Sequence, residues 1–188
     1  MSESITTKNA IAAGFRTLME KKSFEKITIS DITDECGLNR QTFYYHFKDK
    51  YDLLNWIFYN EIITPLAKEY TIDKWSEALL HILYILKNNS KFYTNALNTS
   101  YSNEFRQYLF NATSNLFSGI IDSVMNEEPI SDDEKRFIAE FMSYGVSGSI
   151  INWILTGMKA SPENIVLRIK KILNDSKNGP LRRYFYGI

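Results

Sequence analysis

Residues 27–53 read Ile-Thr-Ile-Ser-Asp-Ile-Thr-Asp-Glu-Cys-Gly-Leu-Asn-Arg-Gln-Thr-Phe-Tyr-Tyr-His-Phe-Lys-Asp-Lys-Tyr-Asp-Leu, an order that specifies two short helices folded about a glycine turn. Thr28 offers a hydroxyl where the first helix begins, and Ile29, Ile32 and Cys36 fall on its apolar side. Gly37 comes just after the last periodic residue, where a positive φ ends a helix at little steric cost. Leu38 is then expected as a buried turn residue, and Asn39 as the N-cap of a second helix over Arg40 to Phe47.

The second helix has an unusual composition for a purely structural element. Arg40, Gln41 and Thr42 crowd its first turn, where long polar side chains reach base edges in a major groove. Tyr44, Tyr45 and His46 carry groups that donate to phosphate oxygens. Phe43 and Phe47, four apart, anchor the other side in a core. Lys50 follows beside a new helix start at Asp49. A scaffold helix, a tight turn and a second helix with a polar start and an apolar back are the parts of a helix-turn-helix.

These residues carry a family resemblance. Ile27-Thr28, Asp31-Ile32, Cys36-Gly37-Leu38-Asn39, Thr42-Phe43-Tyr44-Tyr45-His46-Phe47-Lys48-Asp49-Lys50 and Leu53 together resemble the DNA-binding domain of the TetR family of bacterial regulators. With residues 6–22 as a preceding helix, the likeness covers about the first 55 residues; the rest is similar to the family's ligand and dimerisation domain in length and helicity. The resemblance implies an all-α protein of about nine helices. A helix-turn-helix domain over residues 1–53 precedes a regulatory and dimerisation domain over 54–188. Carried over position by position, Arg40, Gln41 and Thr42 face bases, and Thr28, Tyr44, Tyr45, His46 and Lys50 hold phosphates. Asn39, at the mouth of the helix, completes the DNA-facing set. The position of Tyr45 also serves base or groove contacts in relatives.

Composition limits the alternatives. The chain has 188 residues, 44% of them hydrophobic and 14% aromatic, which suits a folded protein with a sizeable core and argues against disorder. No stretch approaches the roughly 18 apolar residues of a membrane span, and residues 1–8 contain no apolar signal-peptide core. A cytoplasmic location without membrane contact is expected. Cys36 is the single cysteine and reads as a small core residue. Lysine plus arginine equals aspartate plus glutamate at 22 each, so DNA binding must depend on where charge is placed. Arg40, Lys48 and Lys50 cluster at the proposed recognition helix, whereas Asp31, Asp34 and Glu35 lie on the helix before it.

Elsewhere the spacing predicts helices throughout. One runs over residues 6–21, with Ala10, Ile11, Phe15, Leu18 and Met19 as its apolar stripe; another runs from Asp49 to about Lys68, with Pro65 kinking or ending it. Further helices are expected over 73–88, 90–97, 101–125, 131–156 and 162–176, the fourth ended by Gly157 and the fifth begun by Ser161-Pro162. The aromatic tail 177–188 is expected to pack on something.

In related regulators the last two long helices pair with their copies across a two-fold axis. That resemblance assigns Ile150, Trp153, Ile154, Ile165, Ile169 and Ile172 to a homodimer interface. A homodimer also suits the mechanism, because two recognition helices about 34 Å apart read a palindromic double-stranded operator. Trp75, Tyr93, Phe105, Phe141 and Tyr144 are candidate linings of an effector pocket. His81 reads as a structural histidine. Neither a metal site, a cofactor motif nor an enzyme signature is expected.

The function expected is a sequence-specific transcription regulator. A narrower resemblance lies in Trp153, Gly157-Met158, Ser161-Pro162-Glu163 and the aromatic tail, which are similar to the dihydroxyacetone-kinase-operon regulators of the same family. It implies an activator that works through a kinase-like co-activator protein. Two alternatives stay open: a repressor released by a small-molecule effector, and a helical protein-interaction module that does not read DNA.

Overall fold

The structure is a computed structural model that describes residues 3–64, 74–99, 102–124 and 131–178. Those residues form nine α-helices and no strand. They are α1 (Glu3–Lys21), α2 (Ile29–Glu35), α3 (Arg40–His46), α4 (Lys50–Phe58), α5 (Trp75–Asn88), α6 (Ser90–Leu97), α7 (Ser102–Val124), α8 (Asp132–Leu155) and α9 (Pro162–Asn178). The expected Pro65 kink and the aromatic tail beyond residue 178 lie outside the described residues. Two compact units are present: Met1–Ala67 with Asn89–Ala112, and Lys68–Asn88 with Thr113–Ile188.

In the first unit, helices too short to stand alone are held by caps and by one aromatic core. Thr28 and Asp31 form a capping box at the start of α2, and Asn39 accepts from the Thr42 N–H at 2.7 Å to cap α3. The α2 end is a Schellman turn: Gly37 N–H bonds to the Asp34 carbonyl, Leu38 N–H bonds to the Thr33 carbonyl, and Gly37 has φ +66°. Leu38 is half-buried rather than buried. Phe43 and Phe47 are buried as expected, each worth about 2–3 kcal/mol of burial. Ile11, Phe15, Leu18 and Met19 of α1 are likewise buried. Ala10 is exposed, so the stripe starts one residue later than its spacing suggested.

The rings of Phe15, Phe24, Phe58, Phe92, Tyr93 and Phe105 continue this core, from Phe15 against Phe24 (6.1 Å) to Phe58 against Phe105 (4.5 Å). The expected uninterrupted helix from Asp49 is instead α4 followed by a π-helical segment, Tyr59–Ile63, with Thr64 N–H on the Tyr59 carbonyl. The wider turn changes the direction of the side chains it carries, Glu61 among them.

In the second unit, α5 packs on α9, and Tyr84 donates to Glu163. The α8 end is a second Schellman turn, with Met158 N–H on the Trp153 carbonyl and Gly157 N–H on that of Ile154. Gly157 (φ +86°) and Met158 (φ +51°) are both left-handed, and burial of Met158 offsets its backbone strain. The expected interface residues need correction here. Ile150, Trp153 and Ile154 belong to the buried face of α8 with Ala139, Ser143 and Ser147, and the Trp153 indole donates to the Ala160 carbonyl at 3.0 Å. Residues enclosed by their own chain offer nothing to a partner. On α9, Ile169 is buried, Ile165 half-buried and Ile172 exposed. The exposed apolar face of α8 is the opposite one, Phe137, Phe141, Tyr144 and Leu155.

Candidate nucleic-acid interface

Helix α3 is fixed by its back and offers its front. Phe43 and Phe47 hold it to the core, with the Phe47 ring 5.7 Å from Trp56. Lys8 of α1 lies over both of those rings. On the front, Arg40 and Gln41 are exposed, Tyr44 is largely exposed and Tyr45 is 83% exposed. The His46 ring is half-buried, edge-on to Tyr45 at 5.0 Å. An exposed aromatic costs solubility and is tolerated where it meets a ligand, so two adjacent exposed tyrosines between two buried phenylalanines describe a surface built to touch something.

The polar side chains divide by what they already hold. Arg40 donates to Ser30 Oγ on α2, which aims the guanidinium across the turn. Sequence reasoning missed Ser30, because a serine in the first turn of a helix carries no signal of its own. Asn39 Oδ1 takes both the N–H and the hydroxyl of Thr42, the latter at 3.0 Å, so these two residues shape the helix start before they face a base. Thr28 is exposed at the start of α2, its hydroxyl donating to Asp31 at 2.9 Å. Asp31 also takes the Thr28 N–H at 2.8 Å and Lys22 at 2.9 Å. The Thr28 N–H first and Lys22 second hold its carboxyl down to about 2. The carboxylate is therefore ionised, and its ion pair with Lys22 offsets part of the repulsion that α2 would otherwise direct at phosphate.

Lys50 is placed differently from the expectation that it holds a phosphate. Its ammonium donates to the carbonyls of Phe24 (2.8 Å), Glu25 (3.2 Å) and Ile27 (2.9 Å), and sits 4.5 Å from the centre of the Phe24 ring. Three carbonyls engage all three of its N–H donors. Burial lowers its pKa from the usual lysine value.

The five candidate pocket residues differ in their exposure. Tyr93 and Phe105 are buried and pack ring to ring at 5.5 Å, filling the space between them. Trp75 is half-buried. Phe141 and Tyr144, at 67% and 68% exposure, line no enclosed pocket, which corrects the expectation for both. Among the described residues, no cluster of three metal-ligating side chains occurs and no helix is long and apolar enough to cross a membrane.

This arrangement is matched by known regulators. Residues 11–57 fit the family description "Bacterial regulatory proteins, tetR family", and residues 73–175 fit "Transcriptional regulator C-terminal region". The chain belongs to the TetR family. As a TetR-family protein it is a helix-turn-helix, DNA-binding transcription regulator, with α2 and α3 as the motif. It is 28% identical over 159 residues to the HTH-type dhaKLM operon transcriptional activator DhaS of Lactococcus lactis subsp. lactis (strain IL1403), covering 84% of each chain. A solved structure of the dihydroxyacetone kinase operon activator DhaS superposes with a TM-score of 0.76 at 27% identity, covering 92% of this chain and 96% of that one. The fatty acid degradation regulator FadR from Bacillus halodurans shares the fold (TM-score 0.64) at 14% identity, covering 89% of this chain and 94% of that one. These relatives are transcription regulators, and TetR-family membership extends through both parts of the chain.

Proposed function

We propose that this TetR-family regulator binds a palindromic operator as a homodimer and activates a dihydroxyacetone kinase operon in the cytoplasm, taking its signal from a kinase-like co-activator protein. Residues 1–53 are the DNA-reading domain and 54–188 the regulatory and dimerisation domain. The observation that carries the DNA-reading assignment is the front of α3. Arg40, Gln41, Tyr44 and Tyr45 stand exposed on a helix whose Phe43 and Phe47 are buried. Arg40, Gln41 and Thr42 read bases, and Thr28, Tyr44, Tyr45 and His46 meet phosphates. The activator role rests on likeness along most of the chain to an activator of that kind of operon.

The dimer uses α8 and α9. Phe137, Phe141, Tyr144 and Leu155 recur at intervals of four, three and eleven along the exposed face of α8, with Gly145 and Gly148 on that side having open space where a Cβ would stand. Leu167 and Ile172 of α9 are exposed as well. An apolar, glycine-bearing helix face is matched best by a second copy of itself.

A second reading is a small-molecule-released repressor. It is favoured by a cleft of about 320 Å³ between α1 and α4, lined by Asn9, Arg16, Trp56, Asn60 and Glu61 among others. A footprint on the DNA upstream of the neighbouring operon separates the two. The protein is tested alone, with dihydroxyacetone and other metabolites, and with the products of adjacent genes. Protection that strengthens only with a neighbouring protein supports co-activation. Protection lost on adding a metabolite establishes release, and no protection anywhere rejects the DNA-reading assignment itself.

A further inference from the structure

The turn between α1 and α2 is gripped from two sides. On one side is Asn95 of α6, whose amide nitrogen donates to the carbonyls of Met19 (2.8 Å) and Lys22 (2.7 Å), and whose oxygen accepts from the Phe24 N–H at 3.1 Å. On the other is Lys50 at the start of α4, donating to the carbonyls of Phe24, Glu25 and Ile27. The two peptide groups of Phe24 are therefore held by side chains from two other helices. Thr28, the exposed cap of α2, is the residue that follows Ile27.

Both grips are specific in chemistry. An ammonium directs three donors to three converging carbonyls, which a planar guanidinium cannot do. The Asn95 amide engages both hydrogens and its oxygen, so leucine of similar size keeps the volume and loses every bond. Swinging the Lys50 ammonium out to a phosphate strips three carbonyls of a charged donor and takes the cation off the Phe24 ring.

We propose that Lys50 and Asn95 are positioning residues for DNA binding, which fix the 22–27 turn and through it Thr28 and α2, with neither side chain touching DNA. The inference rests on the DNA-reading assignment above. It makes α6 part of the reading apparatus, because a shift of α6 moves the Phe24 peptide directly.

The test uses a duplex selected by the full-length parent protein from a random-sequence library, with affinity followed by fluorescence anisotropy over a range of salt concentrations. Lys50→Arg, Lys50→Met and Asn95→Leu are each expected to weaken binding about tenfold. The slope of log K against log salt stays that of the parent, since no phosphate contact is lost. Two results overturn the role of Lys50: a slope reduced by about 0.9 in Lys50→Met, as loss of one phosphate contact requires, or parental affinity in Lys50→Arg. For Asn95, the combination with Thr28→Val is expected to lose less than the product of the two single losses, because one acts through the other. A full product overturns the coupling. Should Lys50→Met lose its helical circular dichroism, Lys50→Arg and the Asn95 cycle decide the matter. A parent that selects no duplex refutes the DNA-reading assignment instead.

Discussion

The Tyr93 hydroxyl donates to one oxygen of Glu61 at 2.6 Å, while the other oxygen of Glu61 pairs with the Arg16 guanidinium. Three elements meet in this contact: Arg16 from α1, Glu61 from the π-helical segment after α4, and Tyr93 from α6. Arg16 also lies 4.6 Å over the Phe92 ring. Tyr93 is fully buried, and burial first, then the Glu61 charge, push its phenol well above the usual tyrosine value. A raised folded value means that the native state holds this proton more tightly than the unfolded chain. The resulting stability is complete below the usual tyrosine pKa of about 10 and is lost as pH rises through the folded value. Tyr93→Phe is expected to cost about 2 kcal/mol at neutral pH, because Glu61 loses a donor. It should also make the alkaline decline shallower than the parent's. Urea midpoints of both proteins from about pH 7 to about pH 11 check this; parallel curves would show that the phenol does not stay protonated in the fold.

Asp31 gives the opposite limb. Its carboxyl is held down to about 2, from 3.8, by the Thr28 N–H first and Lys22 second. A depressed acid adds stability above its unfolded value, and that share disappears as pH falls from 3.8 through about 2. Asp31→Asn keeps the side-chain shape and should remove this part of the acid transition. An acid titration by circular dichroism, parent against variant, reads it, and superposable curves would count against the capping box.

Residues 27–53 were legible because each local signal had one structural solution. Gly37 needed a left-handed turn, Asn39 needed a helix to cap, and Phe43 and Phe47 fall on one face. Helix α8 was not legible in the same way. It is apolar on two faces, so periodicity finds a helix but does not rank Ile150 and Ile154 against Phe137 and Phe141 as the inner set. The π-helical segment left no trace either, since Tyr59–Ile63 has ordinary helix composition. The long-range grips of Asn95 and Lys50 join residues 71 and 26 positions away from Phe24 in the chain, beyond anything that local spacing encodes.

Arg40 and Ser30 form a pair that separates base reading from support. Arg40→Ala is expected to cost about 1–3 kcal/mol of specific affinity and to relax sequence preference at one position. Ser30→Ala removes only the bond that aims the guanidinium, and should cost about 0.5–1.5 kcal/mol. Repeating the random-library selection with each variant gives both numbers and the position affected. If Arg40→Ala selects the parental sequence with parental strength, α3 does not read bases through Arg40.

Substitutions on the two faces of α8 should have opposite signatures. Phe141 is exposed, and a charge there meets water in the isolated chain but would meet an apolar partner in the proposed dimer. Phe141→Glu is therefore expected to keep the parental circular dichroism and melting profile at high dilution while sedimenting as a monomer. It should also lose cooperative binding to a two-fold operator, since each subunit then reads only half of it. Ile154 is fully buried, and Ile154→Ala should cost about 2–5 kcal/mol of stability. Its effect on assembly should follow only from that loss of folding. Sedimentation velocity and urea unfolding on the two variants decide between the faces. A monomer produced by Ile154→Ala without loss of stability would return the interface to the inner face of α8, and a dimeric Phe141→Glu would remove it from the outer one.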